Sequence, residues 1–267
     1  MERIVLFEKT VTSPFTPRTL SFLRSLKRHN DREWFRARRE SYEQHVRGPM
    51  VELIARLARD FRSFAPELIA EPKVSLYRIY RDTRFGSDKS PLKTHVAARF
   101  PTRGLGTKEG AGLYLEVAPG WVWMGGGIYM PSSADLRAIR AHIADTHPRL
   151  HRIARGRPFT SAMGELHGER LSRVPRGYPA DHPAAHYLQF RQFLAGCEYE
   201  AGFATSRSFY PELLKVFRAT APLVRFLNTP LLERRGGAIR PAPAAADAPP
   251  PRTRRAAAHP PVPEPMW

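Results

Sequence analysis

The chain has 267 residues, a formal charge of +18, 42% hydrophobic residues and a single cysteine, Cys197. That length and apolar content suffice for a buried core, while one cysteine rules out an intrachain disulfide and a thiolate metal cluster built by this chain alone. No stretch approaches the ~20 apolar residues of a membrane helix, so no membrane role is expected.

The first apolar run, Ile4 to Phe7, is too short for a signal-peptide core and is followed by Glu8, so the expectation is a cytoplasmic protein. The positive charge attracts nucleic acid or anionic metabolites in principle. Here it is spread over residues 18–62, 71–103 and 137–176, and arginine outnumbers lysine 36 to 7. The chain is also rich in alanine, glycine and proline, which fits a general compositional bias, so a nucleic-acid partner is only weakly supported.

Taken in chain order, Thr16 reads as an N-cap with Pro17 in the first helical turn, and Leu20, Leu23 and Leu26 share one face before Asn30. Asp31 caps a second helix with Trp34, Phe35 and Tyr42 as its apolar stripe, ended by Gly48. Asn30, Trp34 and Phe35 read as a packing joint between the two. Pro49 opens a third helix whose Met50, Ile54, Leu57 and Phe61 recur at helical spacing, leaving Arg56, Arg59 and Arg62 to solvent.

Strands are predicted over Val74–Ile79, Ala97–Phe100, Gly112–Val117 and Trp121–Met130, with Pro119-Gly120 turning the last two into a hairpin. Ser132 and Asp135 start a helix with Leu136, Ile139 and Ile143 that stops near His147-Pro148. Asp181 with Pro183 opens a short helix containing Tyr187, Leu188 and Phe190, and Pro211 another with Leu213, Leu214 and Phe217. Strands in the middle with helices before and after, without strand–helix alternation, predict an α+β fold: a single domain over residues 1–232 with a central, mostly antiparallel sheet. Residues 233–267 read as a disordered tail rich in proline, alanine and arginine.

The densest charge lies between Lys73 and Arg99. Arg78, Arg81 and Arg84 are three apart, and guanidinium forks suit a bidentate grip on phosphate or carboxylate. The competing reading pairs them with Asp82 and Asp88 in a structural ion network. Counting Lys89 and Lys93, cations outnumber these carboxylates five to two, so pairing within the segment cannot neutralise them all. Asp82, Asp88 and His95 are also candidate metal ligands or acid–base groups, but the fixed positive charges oppose a divalent ion, and no metal is assigned. His95 alone reads as a structural histidine or a general base. The sequence names no cofactor.

Arg78, Arg81, Asp82, Arg84, Phe85, Asp88, Lys89 and Pro91 together resemble the RxxRDxRF…DKxP signature of the bacterial DUF2461 family, whose biochemical function is unassigned. Asn30–Phe35 (NDREWF) and Gly125–Tyr129 (GGGIY) are similar to that family's recurrent blocks, and the resemblance extends over most of residues 15 to 230. One departure stands out: members tend to carry an aromatic residue where this chain has Leu92, which puts a ring-stacking role for that position in doubt.

Three further features admit a functional reading. Gly125-Gly126-Gly127 marks a bulge or a close ligand approach within a strand, and is no P-loop, lacking GKS or GKT and a following helix. Trp121 and Trp123 alternate onto one face and serve either as core or, if exposed, as base-stacking platforms. Cys197 reads as an inert buried thiol, with His182 and His186 as the histidines that could approach it.

Three functions stay open at this stage. One is a module binding a phosphate- or carboxylate-bearing small molecule or nucleotide at Arg78, Arg81, Asp82, Arg84, Asp88, Lys89, Lys93 and His95. The second is an enzyme acting on a phosphorylated or nucleotide-like substrate, in which Arg78, Arg81, Arg84 and Lys89 stabilise charge and Asp82 or His95 moves a proton. The third is an interaction protein in which the motif is a structural ion-pair network.

Overall fold

The computed structural model describes residues 13–84 and 88–236. Phe85 and almost all of the expected tail lie outside the described residues. Strands β1 (Val96–Pro101), β2 (Gly112–Val117) and β3 (Trp121–Ile128) form an antiparallel meander, and β4 (Phe193–Glu200) adds antiparallel to β3, giving the order β1-β2-β3-β4. The Pro119-Gly120 turn closes on the bond from Ala118 N to Trp121 O, 2.9 Å. The architecture is α+β, with helices flanking the sheet.

Alternation along the strands sends Val96, Ala98, Phe100, Leu113, Leu115, Val117, Val122 and Met124 to one face, all buried in the main core. Helix α9 (Phe209–Glu233) covers that face, and Phe100 meets Phe61 and Phe217 edge-on at 5.2 and 5.6 Å. Phe61 belongs to α4 (Gly48–Phe64). The opposite face carries Ala97, Arg99, Tyr114, Glu116, Trp121 and Trp123 with Gly125, Gly127 and Gly196. Here Ala97, Tyr114 and Trp123 form a second, small apolar cluster bordered by Tyr77 and Trp121.

Trp123 shapes this face at the expense of its neighbours. A Cβ on Gly196 would sit 2.3 Å from Cζ2 of the indole, and one on Gly125 2.8 Å from its far edge. The ring thus lies flat across two strands only because both positions lack side chains. Gly196→Ala is expected to cost about 1–3 kcal/mol by overpacking, read as a lower denaturation midpoint with altered tryptophan emission. An unchanged midpoint would mean that the indole moves aside freely.

The N-terminal helices begin as the sequence predicts. Helix α1 (Pro17–Arg28) follows Thr16, and α2 (Arg32–Ala37) is capped by Asp31, which accepts from Trp34 N at 2.7 Å. Gly48 does not end a helix. After α3 (Arg39–Tyr42) the chain widens into a π-helical turn, Glu43–Arg47, and runs straight into α4. A Cβ at Gly48 would lie 2.8 Å from the carbonyl oxygen of Glu43, so glycine serves the wide turn here. Arg56 departs from the expected solvated face: its guanidinium lies 5.2 Å from the Tyr210 ring centroid.

Three other expectations are corrected. Val74–Ile79 is not a strand: Pro72–Ser75 forms one helical turn, α5, and only then does the chain extend along β1, with Tyr77 N bonded to Ala97 O at 3.0 Å. The helix expected to stop near His147-Pro148 does break there, at Thr146 (φ −127°, ψ 24°), and a second helical segment follows directly to complete α6 (Ser133–Ala154), burying Leu150 and Ala154. After α7 (Arg157–Met163), the helix expected through Phe190 shrinks to one turn, α8 (Ala185–Leu188), and β4 follows. Helix α9 starts before Pro211 and continues through Pro222 and Pro230, since burial along nearly its whole length outweighs the cost of about 3 kcal/mol for each interior proline.

Candidate functional site

The charged motif folds as a hairpin beside β1. Tyr80 bridges Leu92, Arg81 N bonds Pro91 O at 3.0 Å, and Lys93 N bonds Ile79 O at 2.8 Å. Asn30 closes its root like an extra strand residue: its Nδ2 donates to Leu92 O at 2.9 Å, and its Oδ1 accepts from Leu92 N at 3.1 Å. Phe35 adds an edge-on contact to Tyr80 at 6.0 Å. The NDREWF block is therefore the mount of the motif hairpin as well as a helix joint. Leu92 itself is fully buried in the core.

Within the tip, carboxylates engage arginines. Asp82 takes the Arg84 guanidinium through both oxygens, at 3.0 and 2.8 Å, and Arg84 holds its carboxyl far below the usual range. Arg81 pairs with Asp88, which also accepts from Ser90 N at 2.8 Å; hydrogen bonding from the Ser90 side chain, then from its backbone, and then Arg81 lower its pKa. Lys89 Nζ donates to Thr83 O at 3.0 Å. Arg78 is exposed and lines a different hollow from the tip. Lys93 lies over the Tyr77 ring, 4.5 Å from its centroid. His95 leads into β1 and turns toward Glu116, with its Nδ1 3.6 Å from Oε1.

Glu116 is a candidate that motif reading passes over. It is wholly buried on the second face of the sheet, accepts from the Tyr114 hydroxyl at 2.7 Å, and has its Oε1 without a hydrogen-bond partner among the described residues. Burial pushes it up to about 7 against the opposing pull of Tyr114, Trp121 and Lys93. Burial, then the neighbouring Lys93 and Arg81, pushes His95 down to about 4. Tyr114 is raised well above its ordinary value, by burial and then by Glu116. The available signal was a lone charge in the otherwise apolar strand Gly112–Val117.

Two hollows flank this region. The larger, about 560 Å³, lies on the second sheet face between Tyr77, Tyr114, Arg99 and Lys108, with Gly112 and Gly127 in its floor and Met130 at its rim. Arg99 fixes its wall by donating to the carbonyls of Thr107, Glu109 (2.9 Å) and Gly110 (2.7 Å). Arg234 pairs with Asp135 at 3.1 Å, and Arg235 with Glu109, across the far end. The smaller, about 260 Å³, lies on the other side of Tyr77 and is lined by Arg39, Tyr42, Glu43, Arg47, Arg78 and Tyr80 among others. The GGGIY block thus lines the larger hollow through Gly126 to Tyr129, while the motif and the NDREWF block meet at the smaller one.

The remaining candidates fall elsewhere. Trp123 is buried against Tyr114 at 5.8 Å and Trp121 is half-buried, so the pair packs the second face of the sheet. Cys197 is half-buried, 3.4 Å from the Tyr199 hydroxyl, and burial pushes its thiol up; His182 and His186 instead pack against His147 and Phe190. Among the described residues no three His, Cys, Asp or Glu side chains are grouped to hold a metal ion, and no helix is long and apolar enough to cross a membrane.

Comparison with known proteins places these blocks in context. The sequence model of a family described as "conserved hypothetical protein (DUF2461)" matches residues 18–226. Neither the curated proteins nor the solved structures yield a match. The family match spans the hairpin, its Asn30 mount and the whole sheet, and the chain belongs to the DUF2461 family.

Proposed function

We propose that this protein binds a small anionic ligand, carrying phosphate or carboxylate, in the larger cleft, whose lining includes Tyr77, just ahead of the motif hairpin, and none of the hairpin's own residues. One observation carries the reading: positive charges converge at the hairpin root around a single half-buried ammonium. Burial lowers the Lys93 pKa, buried Glu116 opposes this, and Arg78, Arg81 and Lys108 lower it further. Glu116, itself pushed up to about 7, is about half ionised near neutral pH and Asp88 pairs with Arg81, so the carboxylates balance only part of this field. An anion in the cleft meets Lys108 and Arg99 on its wall, with Lys93 and His95 behind Tyr77 and Tyr114. On this reading Arg81, Asp82, Arg84, Asp88 and Lys89 shape the hairpin that holds Arg78 and Lys93 in place. The mixture of tyrosine, glycine and a few cations suits a small molecule better than a long polyanion.

An enzymatic role is the second reading, favoured by the buried bond of 2.7 Å from the hydroxyl of Tyr114, a residue that lines the cleft, to Glu116. A carboxyl poised near neutrality and linked to the hydroxyl of a cleft-lining tyrosine is an arrangement that moves protons.

The test is a thermal-shift screen of the full chain against phosphate, nucleotides, dicarboxylates and short oligonucleotides, at low and moderate salt. Ligand binding to the native state raises the melting temperature. At least one small anion is expected to stabilise the protein, and its effect should fall in Lys108→Ala and Tyr114→Phe. No stabilisation by any of them, or stabilisation indifferent to both substitutions, would remove the cleft as the binding site.

A further inference from the structure

We propose that Arg39, Arg47 and Arg78 form a second anion site, a seat for the phosphoryl group of a small phosphate monoester whose apolar part lies against Tyr42 and Tyr80. The site is the smaller hollow, and it does not depend on occupancy of the larger cleft.

Its construction joins two parts of the chain far apart in sequence. Arg78 and Tyr80 come from the extended segment leading into the hairpin, while Arg39 and Arg47 come from α3 and the π-helical turn. That turn closes through the bond from Gly48 N to Glu43 O, and the residues at its two ends, Glu43 and Arg47, both line the hollow. Helical turns of this kind recur at functional sites.

Charge decides the ligand class. Three guanidinium groups face one carboxylate, Glu43, which lies 3.2 Å from Arg47 and 3.9 Å from Arg39. The lining thus keeps a net charge of about +2, which matches a phosphate monoester near neutral pH. A carboxylate has two oxygens and occupies one fork, whereas a phosphoryl group offers three acceptor oxygens for several forks. The hollow, about 260 Å³, is larger than a phosphoryl group needs, and the surplus is bounded by Phe35, Tyr42, Tyr77, Tyr80, Leu76 and Ile79. Tyr80 is one of two large apolar side chains exposed among the described residues, at 43%. An aromatic or compact alkyl group is therefore the expected second half of the ligand.

The experiment is calorimetric titration of the full chain with phenyl phosphate, inorganic phosphate and benzoate. Phenyl phosphate is expected to bind most tightly and benzoate most weakly. The double variant Arg39→Ala with Arg47→Ala should weaken phenyl phosphate at least about tenfold, as loss of charge-assisted contacts implies. Both side chains are well exposed, at 65% and 47%, so folding is not at stake. Glu43→Gln releases the arginines from their own carboxylate and should tighten binding several-fold. Lys108→Ala, which tests the larger cleft, should leave this binding unchanged, so the two readings fail separately. Absence of phenyl phosphate binding, benzoate binding as tightly, or a double variant that binds like the parent would each overturn the proposal.

Discussion

Glu116→Gln is expected to stabilise the protein by about 3 kcal/mol near pH 8 relative to its effect near pH 4, an unusual direction for loss of a buried charge. The ordinary carboxyl value of 4.5 is pushed up to about 7 by burial. Between those values the native state holds a proton that the unfolded chain has released, so stability falls as pH rises through that window. At 1.36 kcal/mol per pKa unit the accumulated cost is about 3 kcal/mol above pH 7. The amide keeps an acceptor for the Tyr114 hydroxyl and carries no charge, so the cost disappears. For a chain of this size the melting temperature should rise by about 6–12 °C in alkaline buffer.

His95 works in the opposite sense. Its ordinary value of 6.5 is pushed down to about 4, so the unfolded chain takes a proton that the native state refuses, and stability falls as pH drops from 6.5 toward 4. The two windows overlap between about 4.5 and 6.5, where the slopes nearly cancel. Glu116→Gln should therefore unmask a rise in stability with pH that the parent lacks. Chemical denaturation of both proteins across pH reads this directly. A variant that is less stable than the parent in alkaline buffer would show that the native state favours the ionised Glu116, held by Lys93, over the protonated form.

The second large effect belongs to Asn30. Its replacement by alanine removes both hydrogen bonds to the buried backbone of Leu92 and leaves a donor and an acceptor unsatisfied. The expected cost is about 2–3 kcal/mol, or about 5–10 °C in melting temperature. Limited proteolysis should then cut within residues 79–93 before the remainder of the domain. A variant that melts like the parent and resists cleavage there would mean that the hairpin is held by Phe35 and the core contacts of Leu92 alone. Asn30→Asp, which keeps only the acceptor, should fall between the two.

Local features were legible in the sequence where local chemistry decides them. Thr16 with Pro17 marks the start of α1, and the strand read over Gly112–Val117 is β2 residue for residue. The α+β class followed from strands flanked by helices. What escaped depends on contacts between distant residues. Nothing in Phe193–Glu200 announces a strand, because Gly196 interrupts the pattern in order to admit Trp123 from β3. Two prolines inside α9 look like stops until the surface that buries them is known. At the motif, the charge run was visible, but the neighbours that complete its surroundings were not. Arg39 and Arg47 lie more than thirty residues upstream of Arg78, and Glu116 enters through strand pairing.

The order of the elements bears on how the chain is made. Strands β1 to β3 are complete at Ile128, whereas the helix that shields their apolar side begins only at Phe209. During synthesis on the ribosome, Leu113, Leu115, Val122 and Met124 therefore stay uncovered while the intervening segments emerge. A nascent chain stalled before α9 presents a sticky, unfinished sheet, the form most in need of a chaperone.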